Sequence, residues 1–174
     1  MLNGLIGVLK RWKNIYFFFI IVFVVGVFIG LLFREDDIGQ ANPESVFYAS
    51  IFLNNIDVGL LCLIGGLCTG GSIPIFVMSM NGYIVGNTIG SVIVNGNIES
   101  LITGLLPHFF IEMFGLLSFS VLGTFTGVIF LKFLKREICK INYLTMLIDG
   151  SIILVVAFVA LFFGAIIEDF VSSV

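Results

Sequence analysis

Charge is what this chain has least of. Asp, Glu, Lys and Arg make up 11% of its 174 residues, against about 25% in an ordinary soluble domain. Eight basic and eleven acidic side chains cannot cover a folded globule with polar groups. That excludes a soluble enzyme and a disordered chain. The net charge of −3 gives nucleic acid no electrostatic footing, so no nucleic-acid partner is expected. The three cysteines, Cys62, Cys68 and Cys139, are odd in number and lack CxxC spacing. Both a disulfide framework and a zinc knuckle are therefore excluded. Histidine occurs once, at His108, so any metal site has to draw on carboxylates as well. What is present is apolar: 59% of the chain is hydrophobic. Lipid rather than water must solvate most of its surface, as in a small integral membrane protein.

A spanning helix needs roughly 20 mostly apolar residues. Residues 15–33 form the first such run, led by Lys10, Arg11, Trp12 and Lys13. It is too long and too aromatic for a signal-peptide core and reads as a retained signal anchor. Residues 34–44 are polar. Residues 46–70 and 73–94 form two more runs, separated by a Gly-Gly-Ser turn suited to a tight reversal. Residues 101–131 are too many for one straight crossing, and Pro107 lies within them. Proline breaks or kinks a helix interior. The sequence thus predicts a short re-entrant or interfacial helix before Pro107 and a span over 108–131. A basic loop follows, then a last span over 144–167. The expected fold is all-α: one polytopic membrane helical bundle of five transmembrane helices, with no soluble domain.

Basic residues in short loops set orientation. Lys10, Arg11 and Lys13 precede the first span, and Lys132, Lys135, Arg136 and Lys140 lie between the fourth and fifth. A cytoplasmic N-terminus with five spans puts both clusters inside and the C-terminus outside. Four or six spans would split the clusters across the membrane.

Helices associate in lipid through close backbone approach, which needs small residues four apart. The chain offers Gly26/Gly30, Gly66/Gly70, Gly82/Gly86/Gly90 and Gly123/Gly127, a basis for a compact bundle. The 20 Phe fill lipid-facing and inter-helix volume and need no cofactor to explain them. Cys62 and Cys68, in a glycine-rich span, read as small packing residues.

Strongly polar side chains within the hydrocarbon are costly and usually face the bundle interior. Asn54, Asn55, Asp57, Asn87, His108, Glu112 and Glu168 are the ones that the topology gathers toward the extracytoplasmic side, while Asp149 lies near the cytoplasmic end. His108 and Glu112, four apart, share a helix face. Three readings follow from the residues. One is a satisfied polar network that fixes helix register. The second is a metal or catalytic site: His108, Glu112 and Glu168 supply one nitrogen and two carboxylates, a donor mix that zinc accepts, with a position open for water. The third is a proton or solute path through His108, Glu112 and Asp57.

The runs at residues 52–66, 73–86, 105–123 and 164–172 together resemble the stage II sporulation protein M family. The most specific parts are Pro107-His108 with Glu112, the pair Asn81-Gly82, and the ending Ile167-Glu168 with Phe170. The resemblance implies a membrane scaffold, which in spore formers holds two peptidoglycan-degrading partners during engulfment. In gene clusters for circular peptide bacteriocins it implies peptide maturation, export or immunity. The expected role is therefore a multi-pass membrane scaffold, in contact with lipid, acting as a homo-oligomer or with membrane-anchored partner proteins. The alternative is an intramembrane metal-dependent peptidase or a peptide-maturation or export factor, with His108 and Glu112 as catalytic groups.

The topology is tested by a single cysteine at Ser173 in a chain lacking Cys62, Cys68 and Cys139. An impermeant maleimide should label it from outside intact cells. Labelling from the cytoplasmic side alone would overturn the five-span orientation.

Overall fold

The computed structural model describes residues 2–33, 47–96, 101–102, 106–136 and 143–172. Five helices account for nearly all of them: α1 (Leu2–Leu32), α2 (Tyr48–Thr69), α3 (Ser72–Val94), α4 (Leu106–Leu134) and α5 (Tyr143–Ser172). All five are long and apolar enough to cross a membrane. The re-entrant or interfacial helix expected before Pro107 lies outside the described residues, save for Leu101, Ile102 and Leu106. Pro107 itself falls in the first turn of α4, where a missing N–H costs nothing.

The first helix is longer than its apolar run. It begins at Leu2, so Lys10, Arg11 and Lys13 stand within it rather than ahead of it. The cause is a side-chain stripe. Val8, Trp12, Tyr16, Phe19 and Phe23 recur three or four apart and are all buried, which places one helical face against the bundle. Lys and Arg are good helix formers, and Lys10, Arg11 and Lys13 are exposed beside that face. The 31 residues of α1 span about 46 Å, more than the roughly 30 Å of hydrocarbon. The basic turns can therefore reach beyond the apolar layer. The last helix likewise runs past its apolar stretch, and carries Glu168 and Asp169 inside its final turns.

Helix α1 packs on α3, α2 on α4, and α4 on α5. The centre is α4: 56% of its most apolar stretch is buried, against 28–33% in the other four helices. Several of its hydroxyls are satisfied within the helix. Ser118, Ser120 and Thr126 donate to the carbonyls of Phe114, Leu116 and Leu122 at 2.8–2.9 Å, the usual recourse of hydroxyls in apolar helices. Aromatic contacts fill the space between helices. Trp12 meets Phe125 with ring centroids 4.2 Å apart, and Phe119 meets Phe158 edge-on at 5.3 Å. Other Phe side chains, Phe17, Phe28 and Phe133 among them, point outward, where lipid would solvate them.

Two glycine seams hold the pairs together. On α1 and α3, a methyl built at Gly82 would strike the Phe23 carbonyl, and one at Gly30 the Tyr83 carbonyl. Gly26 and Gly86 meet backbone in the same way, and Gly90 continues the buried stripe. On α2 and α4, Gly66 lies against the backbone of Gly123, and Gly127 against the carbonyl of Gly66. The hairpin between α2 and α3 is tight. Gly70 (φ 66°) and Gly71 (φ 117°) both take backbone conformations open chiefly to glycine. The Gly70 N–H closes α2 on the Gly66 carbonyl at 2.8 Å. Of the cysteines expected to pack, Cys62 is fully buried, whereas Cys68 lies on the outside of the bundle.

Replacing Gly82 or Gly66 by Ala forces backbone apart and should cost about 1–3 kcal/mol, read as denaturant unfolding in detergent. Gly7→Ala, whose new methyl would meet only the end of Arg11 at 3.5 Å, should be neutral or mildly stabilising.

Candidate functional site

Most of the polar residues that cost most in a lipid-embedded bundle gather in two places. The first is a cavity of about 340 Å³ lined by Ser50, Ile51, Asn54, Asn55, His108, Glu112 and Glu168. Three helices supply it. The first turns of α4 carry His108 and, one turn on, Glu112. The last turns of α5 carry Glu168, and the N-terminal half of α2 carries the asparagines.

The geometry is close. Asn55 Nδ2 donates to Glu112 Oε1 at 2.9 Å. His108 Nε2 lies 3.8 Å from Glu168 Oε2. One donor atom from each of His108, Glu112 and Glu168 lies within 4.8 Å of the other two. The imidazole is almost fully enclosed, and its Nδ1 is buried without a hydrogen-bond partner. One imidazole nitrogen and two carboxylates form a set that can share protons or ligate a cation.

Gly164 makes this arrangement fit. It stands one turn before Glu168 on the same face of α5, and a methyl there would overlap the Glu112 side chain. Its spacing of four from Glu168 was the signal available in the sequence. Two residues expected in the cluster lie elsewhere. Asp57 is exposed on α2 and does not line the cavity. Asn87 is half-buried on α3, its backbone beside Gly30 in the α1–α3 seam.

The second place sits at the other end of α5. Arg11 Nε donates to Asp149 Oδ2 at 2.7 Å, and Arg11 Nη2 donates to Asp149 Oδ1. Trp12 Nε1 donates to Asp149 Oδ2 at 3.1 Å. This two-pronged arginine–carboxylate pair joins the first helix to the last. From sequence, Arg11 read as a topology signal and Asp149 as an isolated exception, because no spacing rule links residues so far apart. Asp149 and Glu168 are 19 positions apart on α5, about 28 Å along the helix. That is close to one hydrocarbon thickness, so the two polar clusters suit the two membrane boundaries.

Five spanning-length helices, three of which line a polar cavity, define a multi-pass membrane protein built as a single helical bundle. The particular family is equally plain. The family model for stage II sporulation protein M matches residues 15–173, nearly the whole chain, and the chain belongs to that family. No curated protein and no solved structure shows a significant match.

The Arg11–Asp149 pair is asymmetric, with the arginine side chain 51% exposed and the aspartate 4%. Arg11→Gln strands a buried carboxylate, whereas Asp149→Asn leaves an arginine that water can hydrate and still offers Trp12 an acceptor. Thermal unfolding in detergent should therefore show a larger fall in Tm for Arg11→Gln than for Asp149→Asn. The double variant should lie near Asp149→Asn. A fall of equal size in both single variants would show that Asp149 does not depend on Arg11.

Proposed function

We propose that this chain is a membrane scaffold that gathers partner proteins at the cavity end of its bundle, by the basic-residue orientation the extracytoplasmic end. The observation that carries this is the cavity. Helices α2, α4 and α5 turn amide, imidazole and carboxyl groups toward one opening at a chain depth suited to the membrane boundary. Such a surface offers an incoming segment hydrogen-bonding groups that lipid cannot satisfy. Family membership supports the same role, acting as a homo-oligomer or with membrane-anchored partners.

A second reading is favoured by the clustering of three donor atoms within 4.8 Å. It is peptide processing or maturation at the cavity, by a metal-dependent peptidase in which His108 and Glu112 act directly on the substrate.

Glu112→Gln separates the two. A photo-crosslinking residue at Asn54, on the cavity wall, should capture a discrete protein in native membranes, and the same residue at lipid-facing Ile84 should not. The scaffold role predicts that Glu112→Gln retains both this adduct and the ability to complement a deletion strain. A retained adduct with complementation abolished would favour chemistry and sink the scaffold role.

A further inference from the structure

The cavity wall gathers acidic groups without a basic partner. It carries Glu112 and Glu168 but no lysine or arginine. Two carboxyl groups this close, at the edge of a low-dielectric bundle, must share a proton or hold a cation between them. His108 does not serve as an ordinary hydrogen-bonding partner. Its Nε2 is 3.8 Å from Glu168 Oε2, beyond hydrogen-bonding distance, and its buried Nδ1 has no partner. Buried polar groups are rarely left so.

The spacing suits two ligands of one ion better than a donor and its acceptor. Zinc bonds of about 2.0–2.2 Å in tetrahedral geometry set neighbouring ligand atoms about 3.3–3.6 Å apart. The observed 3.8 Å, and the 4.8 Å bound on the whole set, close to that range by small side-chain rotations. Glu168, with a side chain 35% exposed, is free to make one.

We infer that His108, Glu112 and Glu168 form a binding site for one divalent cation of the zinc class. A neutral imidazole and two carboxylates balance a 2+ ion without residual charge. The imidazole favours zinc over magnesium or calcium, which prefer all-oxygen sets. Asn55 holds one oxygen of Glu112 and orients that carboxylate, the supporting hydrogen bond that metal ligands commonly have. Gly164 is a positioning residue, because it leaves the space that the Glu112 side chain occupies. Three protein ligands leave a fourth position toward the cavity for water. The ion would join α4 to α5 at the cavity, and this holds under either function proposed above.

The test uses the full-length, untagged protein in detergent, stripped with chelator and titrated with zinc chloride, with cobalt(II) absorption reporting ligand geometry. One zinc per chain is expected, with a rise in Tm on binding. His108→Ala and Glu112→Gln should each weaken binding at least about tenfold. Gly164→Ala should weaken it with all ligands present, and Asp57→Asn, outside the cavity, should leave it unchanged. Circular dichroism and chromatography in detergent check folding. Should His108→Ala not fold, Glu168→Gln at the partly exposed ligand serves in its place. Absence of stoichiometric zinc overturns the site. So does zinc unaffected by these substitutions, which would mark an adventitious ion only.

Discussion

Backbone touches backbone along two seams, and the rest of the bundle depends on that contact. Lipid tails are as apolar as leucine, so burying hydrophobic surface gives little drive for helices to associate within a membrane. Glycine changes this by removing the side chain that would keep two helices apart. Gly26, Gly30, Gly82 and Gly86 bring α1 onto α3, and Gly66, Gly123 and Gly127 bring α2 onto α4. The second seam matters most for the site. Asn55 on α2 reaches Glu112 on α4 at 2.9 Å only because the helices cannot spread. Gly115 extends the same logic to α5, where it receives the Leu161 side chain and lies near the Ala157 carbonyl.

With the helices fixed at this distance, the costly polar groups can find one another. They do so in two groups near opposite ends of α5. At one end Arg11, Trp12 and Asp149 form a hydrogen-bonded group with little left unsatisfied, beside a cavity of about 240 Å³. The other is less complete, its cavity holding two carboxyls and an imidazole nitrogen without a partner. A bundle that needed polar contacts only for register would be expected to satisfy both ends equally, since a half-satisfied buried group is worse than an apolar one. The imbalance is the physical reason for proposing function at the His108 end.

Much of this was legible in the chain. Five apolar runs, the Gly70-Gly71 reversal and the start of a span at Pro107 follow from length, turn chemistry and proline geometry, and each has its counterpart in the helices. The glycine motifs were visible by spacing alone, although their pairing was not. The i, i+4 relation of His108 to Glu112 and the closeness of Glu168 to a span end marked them out in advance. Asp57 and Asn87 were less tractable. Assigning a residue to a membrane depth says nothing about which way its helix face turns, and those faces look away from the cavity. Hydropathy also shortened α1, because it scores Lys10, Arg11 and Lys13 as polar without weighing the buried stripe that continues past them.

The sequence by itself therefore determined what is set by single segments. These are residence in a membrane, helical class, span number, family, and the identity of the few polar residues that need an explanation. Tertiary structure decided what depends on pairs distant along the chain: which glycine face meets which, that Arg11 answers Asp149, and that Gly164 makes room for Glu112. The physical reason is that a span's local pattern fixes its solvent and its period. Its partner and rotation are chosen only when whole helices pack, and it is that packing which brings His108, Glu112 and Glu168 within 4.8 Å of one another.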